Sequence, residues 1–395
     1  MVASERRKWI ALGLLSAVQF MVVLDIAIVN VALPSIKTDL GFSQQNLQWV
    51  VSAYALFFGG FGAAAGVLLG GILTDALSWQ WIFRVNVPVG IAAFVLTPFI
   101  LTESRDAHVK SFDLPGAALV TAGLSSLVYA ITQAGSEGWL AARTVGFFVA
   151  SVVMLVGFVA WEGRHPEPLM RLGIFRTRTV TGANVAGFIL GTALFSMFLM
   201  LTLYMQQVLG YSAMKTGVAY LAVAGTAIVW SAVAAQLVTR VGVKPVLAAG
   251  MAFMTAGLVL FTQVPVDGSY VTDLLPGFLL LGIGIGFAFV PISIAALAGV
   301  QPAEAGLASG LINTSQQIGG ALGIAALSTI ATTHASDQLA AGVAAPNALV
   351  DGFTAAFTVG AVVAAAGVVA ALTLIRREEL AAQAPEAQPA LDLAA

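Results

Sequence analysis

Hydrophobic positions in this chain come in long runs rather than alternating with polar ones. Eleven apolar segments fall at about residues 9–34, 48–73, 82–102, 113–133, 142–161, 180–205, 216–238, 245–264, 272–298, 306–331 and 352–375. Each is close to the roughly 20 residues a helix needs to cross a bilayer. Hydrocarbon offers no partner to an unpaired backbone group, so every segment is expected to be helical. The connections are short and polar. Two of them, 103–112 and 162–178, carry runs of charge, and the Ala/Pro/Glu-rich tail beyond residue 376 reads as disordered.

Composition agrees with that pattern. Of 395 residues 59% are hydrophobic and only 9% charged, against about 25% charged in a soluble domain. Most of the surface must therefore face lipid. There is no basic stripe for nucleic acid. Cysteine is absent, which excludes disulfides, thiolate metal sites and a cysteine nucleophile. The three His are scattered, and no Ser/His/Asp grouping or carboxylate pair lies at membrane depth. The sequence thus holds no anchor for a metal, a cofactor or enzyme chemistry. The first apolar run follows "SERRK" but lacks a small-residue cleavage site, so it reads as a retained span.

Lys and Arg set the orientation. With the N-terminus inside and strict alternation from segment 82–102 onward, only Lys37, Arg84, Arg143 and Lys215 of the 17 Lys and Arg lie outside. Both termini are then cytoplasmic. One segment breaks the alternation, because the connections on either side of 48–73 both fall outside. Either that segment dips in and returns, hinged at Gly59, Gly60 and Gly62, or part of the chain is inverted. Internal symmetry points to the same place. Six segments from 180 to 375 make one complete half, of the kind that transporters repeat, whereas only three precede Glu103.

Four stretches resemble the major facilitator superfamily, in particular its fourteen-helix drug/proton antiporter branch (EmrB/QacA-like). "VLDIAIVNVALPSI" (23–36) is similar to that branch's first helix, "GAAAGVLLGG" (62–71) to its fifth-helix antiporter motif, and "SWQWIFRVNVPVG" (78–90) to the start of its sixth. "EAGLASGLINTSQQIGGALG" (304–323) is similar to its thirteenth. The resemblance implies an all-α integral-membrane bundle. Residues 1–106 would form a shortened N-terminal half, 107–178 two linker helices and a cytoplasmic loop, 179–375 the complete C-terminal half and 376–395 the tail. It also implies a loss of about three spans between residues 58 and 62. The family's cytoplasmic motif between helices two and three and its fourth-helix arginine are missing, and Val67 stands where the fifth-helix motif has proline. A degenerate second copy of the cytoplasmic motif survives at Arg240, Gly242 and Lys244.

Candidate site residues follow. Asp25 is the one acid well inside a span, and burying a carboxylate there costs on the order of 3 kcal/mol. It is either a proton or cation site or a structural acid bonded to Asn30. Gly62, Gly66 and Gly70, with Gly71, put small residues on one helix face, for close packing or for a conformational seal. Gly282, Gly284, Gly286 and Pro291 are packing residues or a bend. Asn313 and Gln317 share a helix face, and Gln316 adjoins them. These amides line a wet cavity or bond between helices, and Asn184, Tyr204, Gln206 and Trp230 are further cavity candidates. Trp79 and Trp81 fit interface anchors.

These features predict a monomeric, multi-pass transporter of the plasma or inner membrane. It would use no cofactor beyond a proton gradient and would export a small amphipathic organic compound. A chain that inserts but no longer transports is the other reading.

Overall fold

The structure, a computed structural model, describes residues 113–376 apart from 167, 169–171, 299 and 301–304, together with scattered positions between 72 and 95. Asp25, Asn30, Gly62, Gly66, Gly70, Gly71 and nearly all of segment 48–73 lie outside the described residues. Among those described, all regular structure is helical. Eight long helices correspond to the last eight apolar segments: α1 (Leu114–Glu137), α2 (Ala142–Glu162), α3 (Arg178–Leu203), α4 (Ala213–Val241), α5 (Val243–Phe261), α6 (Leu275–Ala296), α7 (Ala305–Ala340) and α8 (Ala345–Leu374). Each is long and apolar enough to span a membrane. Trp81–Arg84 forms a single turn with Trp81 exposed.

Helices α1 and α2 form a hairpin. Asp113 caps α1 by accepting from the Gly116 N–H (2.9 Å). It also accepts from the indole of Trp161 at the far end of α2 (2.8 Å), which closes the base of the hairpin. Ser151 ties the middle by donating to the Gly123 carbonyl (2.8 Å). The outer flank of α2 exposes Val149, Val152, Val153 and Val156, as expected of a surface against lipid.

The remaining six helices pack out of chain order. Helices α3, α7 and α8 contact one another, α6 sits between α4 and α5, and the α5–α8 and α3–α6 contacts join the two groups. Lipid tails are as apolar as leucine, so helix association here depends on close packing and hydrogen bonds rather than on hydrophobic burial. Glycines supply the close packing. Two residues along a helix is about 200° of turn, so Gly282 and Gly284 face opposite ways. A Cβ on Gly282 would lie 2.6 Å from the Val223 carbonyl oxygen of α4, and one on Gly284 would lie 2.7 Å from the Met254 nitrogen of α5. A Cβ on Gly286 would again meet α4, at 2.8 Å from the Ser231 nitrogen. These glycines therefore let α6 wedge between two backbones. Pro291, also buried, sits inside α6, where it removes one helical N–H.

Gly242 alone connects α4 to α5. Its φ of 88° and ψ of 169° lie in a region open essentially to glycine. Its N–H caps α4 on the Val238 carbonyl (3.0 Å). Arg240, in the last turn of α4, complements the helix dipole there, whereas Lys244 in the first turn of α5 opposes it. Neither makes an ion pair among the described residues. Gly242→Ala is expected to destabilise the protein by about 1–3 kcal/mol, read as a lower melting temperature in detergent.

At the opposite end, α3 runs on into a π-helical turn, Tyr204–Val208, and α6 begins with another, Tyr270–Leu274. The Tyr204 hydroxyl donates to the Pro265 carbonyl (2.6 Å) and that of Tyr270 to the Ala219 carbonyl (2.9 Å). Between them Tyr220 is fully enclosed. It donates to the Phe198 carbonyl (2.8 Å) and stacks on Phe278. Three tyrosines thus pin this end with hydrogen bonds that lipid cannot compete for.

Candidate functional site

The motif "GLINTSQQIGGALG" (310–323) lies along α7, where that helix crosses α3 at backbone contact distance. Both helices contribute glycines four residues apart, which share a face. A Cβ on Gly191 would run into the Gln316 carbonyl of α7, and one on Gly319 into the Phe188 carbonyl of α3. A Cβ on Gly187 would lie 2.6 Å from Ile312 Cδ1, and one on Gly323 2.8 Å from Thr192 and 2.7 Å from Ser196 Oγ. Two hydrogen bonds cross the seam. Thr192 Oγ1 donates to the Gly319 carbonyl (3.0 Å), and Ser315 Oγ donates to Asn184 Oδ1 (2.8 Å). Asn184, only 6% exposed, spends its amide N–H on the Val180 carbonyl one turn back (2.9 Å).

The structure therefore brings Asn184 and Gln316 to the α3–α7 seam, where Asn184 makes an interhelical bond and the Gln316 backbone receives Gly191. Asn313 is exposed on α7. Gln317, one turn on, is half-buried, and its Oε1 is shielded from solvent without a hydrogen-bond partner. Another turn along the same face, Ala321 is packed against Val128 of α1. The amide row thus runs from open surface to the point where α1 packs on α7. Tyr204, Gln206 and Trp230 are not part of this row. Tyr204 is enclosed in the π turn, Gln206 lies half-buried two residues on, and Trp230 of α4 sits edge-on to Phe287 of α6 at 5.4 Å.

Sequence reading did not single out Thr192, Ser315 or the glycine pairs 187/191 and 319/323. The glycine spacing was available as a signal. The hydroxyls were not, since serine and threonine in a helix commonly bond their own i−4 carbonyl, as Thr192 also does (2.9 Å). The Asn184–Ser315 bond can be weighed by a double-mutant cycle with Asn184→Ala and Ser315→Ala. A coupling on the order of 1 kcal/mol or less is expected from interhelical hydrogen bonds in membranes.

The eight described spans share one further property. Every Asp, Glu, Lys, Arg and His in them lies within two turns of a helix end, so their middles hold only uncharged side chains.

A profile of the Major Facilitator Superfamily matches residues 55–324. The chain is 32% identical to the puromycin resistance protein pur8 of Streptomyces alboniger, over 90% of this chain and 88% of that protein. It is 30% identical to the cephamycin export protein CmcT of Amycolatopsis lactamdurans, over 81% and 84%. It is 26% identical to the lincomycin resistance protein of Streptomyces lincolnensis, over 96% and 94%. The chain belongs to the Major Facilitator Superfamily and is a multi-pass membrane protein of the drug-export kind.

Proposed function

We propose that the protein exports a small amphipathic antibiotic-like compound across the cell membrane by alternating access, driven by proton influx, with both termini in the cytoplasm. The observation that carries the reading is the pairing of export and resistance relatives along most of the chain with the amide-bearing α3–α7 crossing in a bundle of six long helices. A tightly packed crossing flanked by exposed Asn313 gives a rigid helix pair with a polar face. Such a face suits a midplane cavity between two halves that rock about it. Proton coupling is assigned to Asp25, because the described spans hold no Asp, Glu, Lys, Arg or His at mid-depth.

The test is transport by the purified chain in liposomes under an imposed pH gradient, with puromycin as a first substrate. Uphill, gradient-dependent movement supports the reading. A second reading, a chain that inserts but does not transport, draws on the alignment with the puromycin relative. That alignment runs over 443 positions, more than the 395 residues of this chain. It predicts no uphill movement by this chain and recovery when about three spans are restored after residue 58.

A further inference from the structure

The amide of Gln317 stands apart from the polar groups around it. Thr314 turns its hydroxyl back to the Gly310 carbonyl (2.8 Å), Ser315 is engaged by Asn184, and the Gln316 backbone is packed on Gly191. Gln317 Oε1 has no such outlet among the described residues, although solvent does not reach it. A buried acceptor left without a donor costs about 1–3 kcal/mol. That cost, next to the exposed amide of Asn313 and one turn from the contact with α1, leaves an acceptor that no described residue satisfies. The type of donor follows from the surroundings. The described spans hold no Asp, Glu, Lys, Arg or His near mid-depth, so this side of the site offers a hydrogen-bond acceptor and no counter-charge.

We propose that Gln317 is a specificity-determining acceptor of the transport site, and that the part of the substrate seated against α7 is an uncharged hydrogen-bond donor, a hydroxyl or a neutral N–H. This rests on the export reading above. Asn313, four residues earlier on the same face, supplies a second amide to the same group of the substrate. The apolar remainder of the substrate lies away from this row.

The experiment uses the full chain in liposomes with three probes: puromycin, neutral chloramphenicol with its hydroxyl and amide donors, and tetraphenylphosphonium, a permanent cation with no donor. Gln317→Met keeps length and volume and removes the acceptor, and Gln317→Glu keeps an acceptor oxygen. The wild type is expected to move chloramphenicol in preference to tetraphenylphosphonium. Gln317→Met should lower chloramphenicol transport about tenfold, the equivalent of one lost hydrogen bond, and Gln317→Glu should recover part of it. Because Gln317→Met removes an unsatisfied acceptor, its melting temperature should hold or rise. Preference of the wild type for tetraphenylphosphonium, full chloramphenicol transport by Gln317→Met, or a melting temperature that falls in step with transport would each overturn the proposal. If inserted wild-type protein moves none of the three probes, the export reading fails instead.

Discussion

Gly319→Leu is expected to leave little folded transporter in the membrane. At this position a Cβ would fall on the Phe188 carbonyl of α3. The obstacle is backbone, which cannot rotate aside as the tip of a side chain can. The helices could part to make room, but the Thr192–Gly319 and Ser315–Asn184 bonds hold the seam together. The opposing Gly191 is equally tight against the Gln316 carbonyl. Parting would therefore unmake several contacts at once. Overpacking alone costs about 1–3 kcal/mol, and the lost interhelical bonds add about 0.6 kcal/mol each. The control is Gly310→Leu on the same helix. Nothing lies within 4 Å of a Cβ there, so that variant should insert and melt like the wild type. Size-exclusion profiles and melting temperatures in detergent read both variants. Equal melting of Gly319→Leu and Gly310→Leu would show that the crossing is looser than described.

That crossing also marks the limit of what sequence pattern conveys in a membrane protein. Runs of apolar residues located the later spans well: segment 142–161 is Ala142–Glu162, and 245–264 is Val243–Phe261. The ends were less legible where hydropathy and helicity part company. Segment 306–331 continues as helix to Ala340, because Thr332, His334 and Asp337 leave the hydrocarbon without breaking the backbone ladder. Only Gly342, at φ 86°, ends the excursion and lets α8 start. Partner choice was hidden for a different reason. In water an amphipathic stripe shows which face is buried, whereas in lipid every face is apolar and only small residues and a few polar ones mark contact. The sequence offered glycines at 282, 284 and 286 without saying that alternate ones serve different neighbours. The same holds for the site. The amides at 313, 316 and 317 were visible as polar residues out of place. Their division into an exposed, a seam-packed and a solvent-shielded member depends on how α3 and α1 dock on α7.

Asp25→Asn is expected to abolish uphill transport while leaving downhill exchange intact. Asparagine matches aspartate in size and can still hydrogen-bond to a neighbour such as Asn30, but it cannot exchange a proton. If proton influx drives export, some group at membrane depth must bind a proton on one face and release it on the other. The middles of the described spans hold no Asp, Glu, Lys, Arg or His. Among the first three apolar segments Asp25 is the acid placed well inside. One proton per substrate under a pH difference of one unit can sustain about a tenfold substrate gradient, since each unit is worth 1.36 kcal/mol. The wild type should approach that ratio in liposomes, and Asp25→Asn should stay at unity. Exchange of labelled for unlabelled substrate at equal pH needs no net proton movement, so it should persist in Asp25→Asn and prove the variant folded. Asp25→Glu, which restores a titratable group one methylene further out, should regain part of the gradient. An undiminished gradient in Asp25→Asn would move coupling to another residue. Loss of exchange together with the gradient would make Asp25 a structural acid, held in the span for its bond to Asn30 or to neighbouring backbone.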